Sequence, residues 1–129
     1  MLYTKGVDHI GITVSDLQKS KDFYVNGCGM TVIHEEESSC GLTDGTFSLW
    51  LSTSRDHPVK DNKFDRNILG LDHWSFKVTS MEDLKEIEKT LKSMNVEMED
   101  NGITDDDYGG TAIFAKDPDG MKVEFHLRN

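Results

Sequence analysis

Apolar and polar residues alternate in two stretches of this chain that read almost alike. In "VDHIGITV" (Val7–Val14), Ile10, Ile12 and Val14 fall on one face of an extended strand. His9, Gly11 and Thr13 fall on the other, because successive strand side chains point to opposite faces. In "LDHWSFKV" (Leu71–Val78), Trp74, Phe76 and Val78 oppose His73, Ser75 and Lys77 in the same way. After each stretch the period changes. "SDLQKSKDFYVNG" opens with Ser15 or Asp16 as a helix cap, places Leu17, Phe23 and Tyr24 near one face, and offers Gly27 as a stop. "TSMEDLKEIEKTLKSMN" offers Ser80 as a cap with Asp83 at the capping-box position, then Leu84, Ile87, Leu91 and Met94 as an amphipathic stripe. Each half therefore predicts a strand and then a helix.

Three further strands are expected in each half. In the first they are Met30–Glu37, Ser39–Thr43 and Thr46–Ser52, with Asp44-Gly45 as a hairpin turn. In the second they are Val96–Glu99, Thr111–Lys116 and Met121–Leu127, the last two joined by "DPDG". The pattern is βαβββ written twice, about half the chain apart, which marks a duplicated module rather than a solenoid of three or more repeats. Module 1 spans about 7–53, a polar connection about 54–70, and module 2 about 71–127, within one domain covering 1–129. The expected class is α+β. The apolar strand faces pack on helices, and the other faces of the sheets turn away from them.

This facing has a chemical consequence. In "TFSLWLS", Phe47, Leu49 and Leu51 alternate with Ser48, Trp50 and Ser52; in the last strand Val123, Phe125 and Leu127 alternate with Lys122, Glu124 and His126. His9, His73 and Glu124, with Trp50, then share the face away from the helices. Two imidazoles and one carboxylate form the ligand set of an open divalent metal site, suited to one Mn, Fe, Co, Ni or Zn ion per site, with positions left for water and substrate. His126 shares a face with Glu124 and is a candidate acid–base group. Tyr108, beside Gly109-Gly110, is a second catalytic candidate, on a loop. Trp50, Ser75 and Thr13 are candidate substrate contacts. Period two sends Asp8 and Asp72 to the opposite face, where structural hydrogen bonding is expected of them. His34 and His57 have no convergent partners in the sequence, and Glu35-Glu36-Glu37 reads as a solvated strand end.

Charge narrows the function. The chain carries 24 Asp and Glu against 14 Lys and Arg, a formal net charge of -10. Such a surface repels nucleic-acid phosphates and tolerates neutral or cationic small molecules. Cys28 and Cys40 form no CxxC motif, and two free thiols in a reducing cytoplasm are expected. The start has no apolar core of a signal peptide, and no apolar run of membrane-spanning length occurs.

"HIGITVSDLQKSKDFY", "LDHWSFKV" and "FAKDPDGMKVEF" resemble the vicinal oxygen chelate superfamily, which includes glyoxalase I, extradiol dioxygenases, methylmalonyl-CoA epimerases, fosfomycin-resistance enzymes and bleomycin-binding proteins. The resemblance covers nearly the whole chain. It implies paired βαβββ modules whose mixed sheets curl into a cup with the helices on the outer face, a homodimer, and a metal held by His9, His73 and Glu124. It also shows departures. Glyoxalase I-like members carry a Glu on the fourth strand, where this chain has Trp50. Extradiol dioxygenases place a His and a Tyr shortly before the Asp-Pro-x-Gly turn, where "DDDYGGTAIFAKDPDG" has no His and has Phe114 in place of the Tyr. Fosfomycin-resistance enzymes grip an anionic phosphonate, whereas "EMEDNGITDDDYGG" is strongly acidic. The expected function is a glyoxalase-like, metal-dependent enzyme of lyase, isomerase or dioxygenase type on a small oxygen-chelating substrate. The alternatives are a bleomycin-binding type of resistance protein without catalysis, and a fosfomycin-resistance-like transferase or hydrolase.

Overall fold

The computed structural model describes residues 2–53 and 63–129. The chain divides into two compact units, Met1–Lys60 and Asp61–Asn129. In the first, β1 (His9–Val14) leads into α1 (Leu17–Asp22), followed by β2 (Thr31–Glu35), β3 (Ser39–Thr43) and β4 (Ser48–Thr53). The sheet order is β1-β4-β3-β2, with β1 parallel to β4 and the remaining pairs antiparallel. Two apolar rows cross it in register, Ile10–Leu49–Leu42 and Ile12–Leu51–Cys40. Leu42, Leu49, Leu51 and Cys40 are buried, as are Phe23 and Tyr24 from the helical segment. The hairpin between β3 and β4 closes as expected. Asp44 Oδ1 accepts the Thr46 N–H at 2.8 Å, and Gly45 takes φ +94°, a conformation that favours glycine.

The cap of α1 is Asp16, whose carboxylate accepts the Lys19 N–H at 3.0 Å. The end of the helix differs from expectation. Phe23–Gly27 widens into a π-turn, with the Cys28 N–H reaching Phe23 O at 3.1 Å, and the chain turns away at Gly29 with φ +78°. The wider turn lets both Phe23 and Tyr24 be buried, their rings meeting edge-on at 4.9 Å. A regular helix would rotate two consecutive residues about 100° apart.

The second unit repeats the plan. β5 (Trp74–Val78) is followed by α2 (Met81–Ser93), β6 (Thr104–Asp105), β7 (Gly110–Lys116) and β8 (Lys122–Arg128), in the order β5-β8-β7-β6. Phe76, Phe125 and Ile113 form the central core row, with Phe76 stacked on Phe125 at 5.2 Å. Leu84 and Leu91 of α2 are fully buried. Ser80 caps α2 reciprocally: the Asp83 N–H donates to Ser80 Oγ at 3.1 Å, and Ser80 Oγ–H donates to Asp83 at 2.7 Å. At the "DPDG" turn, Asp117 Oδ1 accepts the Asp119 and Met121 N–H groups, both at 2.9 Å.

The strand expected at Val96–Glu99 is a correction. Only Met98 bridges β7, opposite Ala115, and Glu99–Asn101 forms a short 3-10 turn. Pairing resumes at Thr104–Asp105. Asp100 and Asn101 sit at φ +52° and +59°, which no strand accommodates, and the acidic run supplies no apolar alternation to hold one. Of the connection about 54–70, residues 54–62, with His57, lie outside the described residues; Phe64 donates its N–H to Asp119 O at 3.1 Å. Among the described residues no helix is long and apolar enough to cross a membrane.

Candidate functional site

Strand register shows what each sheet presents on the face away from its helix. In the second unit Ser75, Glu124 and Phe114 form one cross-strand row, and Lys77, His126 and Ala112 the next. In the first unit the matching rows are Gly11–Trp50–Gly41 and Thr13–Ser52–Ser39. Gly11 and Ser75 each lie two residues after their module's histidine, so Trp50, opposite Gly11, holds the register position that Glu124, opposite Ser75, holds in the other module.

Gly41 is part of that substitution. A Cβ there would meet Cζ3, Cη2 and Cε3 of Trp50 at 2.7, 2.8 and 3.0 Å, so the indole lies flat over the glycine. On the other side of Trp50, a Cβ at Gly11 would meet nothing within 4 Å. His34 packs against the indole with its ring 5.7 Å away and bonds Glu36 at 2.9 Å. The sequence had offered it no partner. That bond holds the Glu36 carboxyl below its ordinary range.

The two repeated histidines are held identically. His9 Nδ1 lies 2.7 Å from Asp8 Oδ2, and His73 Nδ1 lies 2.7 Å from Asp72 Oδ1. The expectation that Asp8 and Asp72 turn away from the histidine face is corrected here: both precede the strand proper, where period two no longer binds them. The hydrogen bond from His73 keeps the Asp72 carboxyl below its usual value, with Arg66 Nε 3.5 Å away as a further cationic neighbour.

With Nδ1 of His73 committed to Asp72, its other nitrogen meets Glu124. Nε2 and Glu124 Oε2 are 3.2 Å apart, and the Glu124 side chain is only 11% exposed. Two donor atoms at this separation fit adjacent positions on one metal ion, as they also fit a shared imidazole proton. The donor set therefore fits a borderline divalent metal.

His126 faces another carboxylate. It is hydrogen-bonded through Nε2 to Asp106, whose other oxygen accepts the N–H groups of Tyr108 at 2.7 Å and Gly110 at 2.8 Å. The Gly110 N–H is the main reason the Asp106 carboxyl lies below its ordinary value. Asp106, Glu124 and His126 bring one ligand-type atom each within 4.8 Å of the others. The carboxylate of Asp106 is already engaged on both oxygens.

These residues border an open hollow of about 610 Å³ on the second unit, which Ser75 and Tyr108 also line. Seven carboxylates line it against three cations, Arg66, Lys122 and Arg128. Lys122 is itself tied to Glu99 at 3.1 Å and lies over the Phe114 ring at 4.5 Å. The acidic segment read in the sequence is thus a wall of the hollow.

The model for the Glyoxalase/Bleomycin resistance protein/Dioxygenase superfamily matches residues 6–125. The chain belongs to this superfamily. Its relatives within the superfamily include the metallothiol transferase FosB of Lysinibacillus sphaericus (strain C3-41), 30% identical over 122 residues, covering 95% of this chain and 82% of that protein. The protein YwkD of Bacillus subtilis (strain 168) is 32% identical over 129 residues, covering 95% of this chain and 96% of its own length. A glyoxylase/bleomycin resistance protein/dioxygenase domain from Frankia sp. EAN1pec superposes with a TM-score of 0.84 at 24% identity, over 98% of this chain and 93% of that domain. These matches make the superfamily's paired βαβββ plan that of this chain.

Within the second unit, then, the sequence-read residues His73, Glu124, Ser75 and His126 come together. Tyr108 stands on the rim with its side chain 96% exposed, while its backbone serves Asp106. Thr13 and Trp50 share the corresponding face of the first unit, and His9 stands at its edge with its side chain 60% exposed. Sequence reasoning missed Asp106, Asp72, Asp8 and Arg66 as partners of these groups. The Asp-x-Tyr-Gly-Gly spelling at Asp106–Gly110 was a usable signal, since an Asp before glycines folds its carboxylate onto its own backbone.

Proposed function

We propose that this chain is a glyoxalase-like, divalent-metal-dependent enzyme acting on a small neutral or cationic organic substrate with two adjacent oxygens. His73, Glu124 and His9 are its metal ligands. The observation that carries this reading is the pairing of His73 Nε2 with Glu124 Oε2 at 3.2 Å, with Nδ1 already occupied by Asp72. Bound there, a Mn, Fe, Co, Ni or Zn ion supplies Lewis-acid stabilisation to an enolate or alkoxide-like oxygen. The chain's own groups do the rest. His126, bonded to Asp106, would take and return a proton beside Glu124, a task that Trp50 cannot perform from the fourth strand. Tyr108 is a second proton donor on the rim. Ser75, Thr13 and Trp50 orient the substrate. The acidic hollow supports a neutral or cationic ligand and disfavours a phosphonate dianion. A homodimer in the cytoplasm, with a small molecule as its partner, belongs to the same reading.

The test is metal analysis of protein purified without chelators and after reconstitution. One equivalent per site is expected in the parent, with strong loss in His73→Ala and Glu124→Gln. Unchanged metal content in His73→Ala would overturn the ligand assignment. A parent that stays metal-free after reconstitution would favour the non-catalytic, bleomycin-binding type of resistance protein. A second reading, a fosfomycin-resistance-like thiol transferase, is favoured by the 30% identity to FosB. Consumption of fosfomycin with a thiol and Mn(II), followed by phosphorus NMR, would establish it over the first.

A further inference from the structure

We propose that Asp8 and Asp72 are positioning residues: each fixes its neighbouring histidine with the proton on Nδ1, so that His9 and His73 both present an Nε2 lone pair to a metal. This role rests on the metal-binding reading above. The argument begins with repetition. The same contact, carboxylate to Nδ1 at 2.7 Å, occurs in both units, at the entry to the first strand of each sheet.

The chemistry gives the contact a purpose. A neutral histidine in water carries its proton mainly on Nε2, which closes that nitrogen to a metal. A carboxylate acceptor at Nδ1 moves the proton there and frees Nε2, and it also makes the ring a better donor to the metal. The two copies differ in strength. Asp8 is 97% exposed, and its histidine 60%. Asp72 is 51% exposed, its histidine 38%, and Arg66 Nε lies 3.5 Å from its second oxygen. Solvent screening is therefore weaker at Asp72, and its effect on metal affinity is the larger of the two.

The test compares the parent with Asp8→Asn, Asp8→Ala, Asp72→Asn and Asp72→Ala. Long-range ¹H–¹⁵N correlations on histidine-labelled, metal-free protein at alkaline pH read which ring nitrogen carries the proton. Calorimetric titration with Zn(II) reads affinity. In the parent, Nδ1 of His9 and of His73 is protonated. In Asp8→Ala the His9 proton moves to Nε2. Zn(II) binding weakens by about 10–100-fold in the alanine variants, most in Asp72→Ala, and the asparagine variants, which keep an acceptor oxygen, recover part of it. A purely structural role would lower thermal stability without moving the proton. A parent with His9 protonated on Nε2, or four variants that bind Zn(II) as the parent does, would overturn the positioning role alone. A parent that binds no Zn(II) would overturn the metal reading and this role with it.

Discussion

Replacing Gly41 by alanine tests the geometry that sets Trp50 in the place of a metal ligand. The new Cβ would lie 2.7–3.0 Å from three carbons of the indole, inside any real carbon–carbon contact. Gly41 is buried in the middle of β3, paired to Trp50 on β4, so the backbone has little room to retreat. The ring must tilt off the sheet or the strands must part, an overpacking that costs about 1–3 kcal/mol. For a cooperative chain of this length, about 1 kcal/mol corresponds to roughly 4 °C, so the expected fall in Tm is about 4–12 °C. In a Trp50→Ala background the obstacle is gone. The backbone of Gly41 does not lie at positive φ, so the second alanine becomes neutral or stabilising by about 0.4–1 kcal/mol, through loss of unfolded-state freedom. The double-mutant cycle should then show a coupling of about 1–4 kcal/mol. Thermal unfolding followed by far-ultraviolet circular dichroism reads all four proteins without depending on tryptophan emission. Equal effects of Gly41→Ala in the two backgrounds would refute the stacked arrangement, and with it the claim that Trp50 fills the row Glu124 occupies in the other sheet.

Three further outcomes follow from the same structure. Leu91→Ala, at a fully buried position on α2, should lose about 2–5 kcal/mol in denaturant unfolding, and a value under about 1 kcal/mol would contradict the packing. Ser80→Ala removes the acceptor for the Asp83 N–H and should lower stability by about 0.5–2 kcal/mol, largely recovered by Ser80→Thr, which keeps both the acceptor and the hydroxyl donor to Asp83. The Asp106 carboxyl is held below its ordinary value, so its stabilisation of the 106–110 loop is complete above the unfolded carboxylate value. It is lost as the pH falls through the lower folded value. Amide exchange at Gly110 and Tyr108 should therefore accelerate selectively in acid, and in Asp106→Asn it should lose this pH dependence.

Much of this protein follows from local pattern alone. The alternation in "VDHIGITV" and "LDHWSFKV", the stripe from Leu84 to Leu91, and the capping at Ser80 are short-range signals, and each element lies where its period and cap place it. The duplication was legible for the same reason, because two copies of one strand–helix pattern repeat the same period and caps. Register was not legible at that level. That Trp50 stands opposite Gly11, and Glu124 opposite Ser75, depends on hydrogen bonds between strands far apart in the chain. The partners of the histidines were hidden too. Asp8 and Asp72 lie just before their strands, where the period-two rule stops, and Asp106 reaches His126 from a loop twenty residues earlier. Nor could the composition of "EMEDNGITDDDYGG" say that it breaks the expected strand and walls the hollow, since the positive φ at Asp100 and Asn101 and the segment's place beside Glu124 exist only in the folded chain. Sequence by itself determined the modules, their faces and the candidate ligands, because those depend on neighbours within a turn or a strand. Only the tertiary structure decided which carboxylate holds which imidazole, because a hydrogen bond of 2.7 Å is a property of folded geometry and not of spacing along the chain.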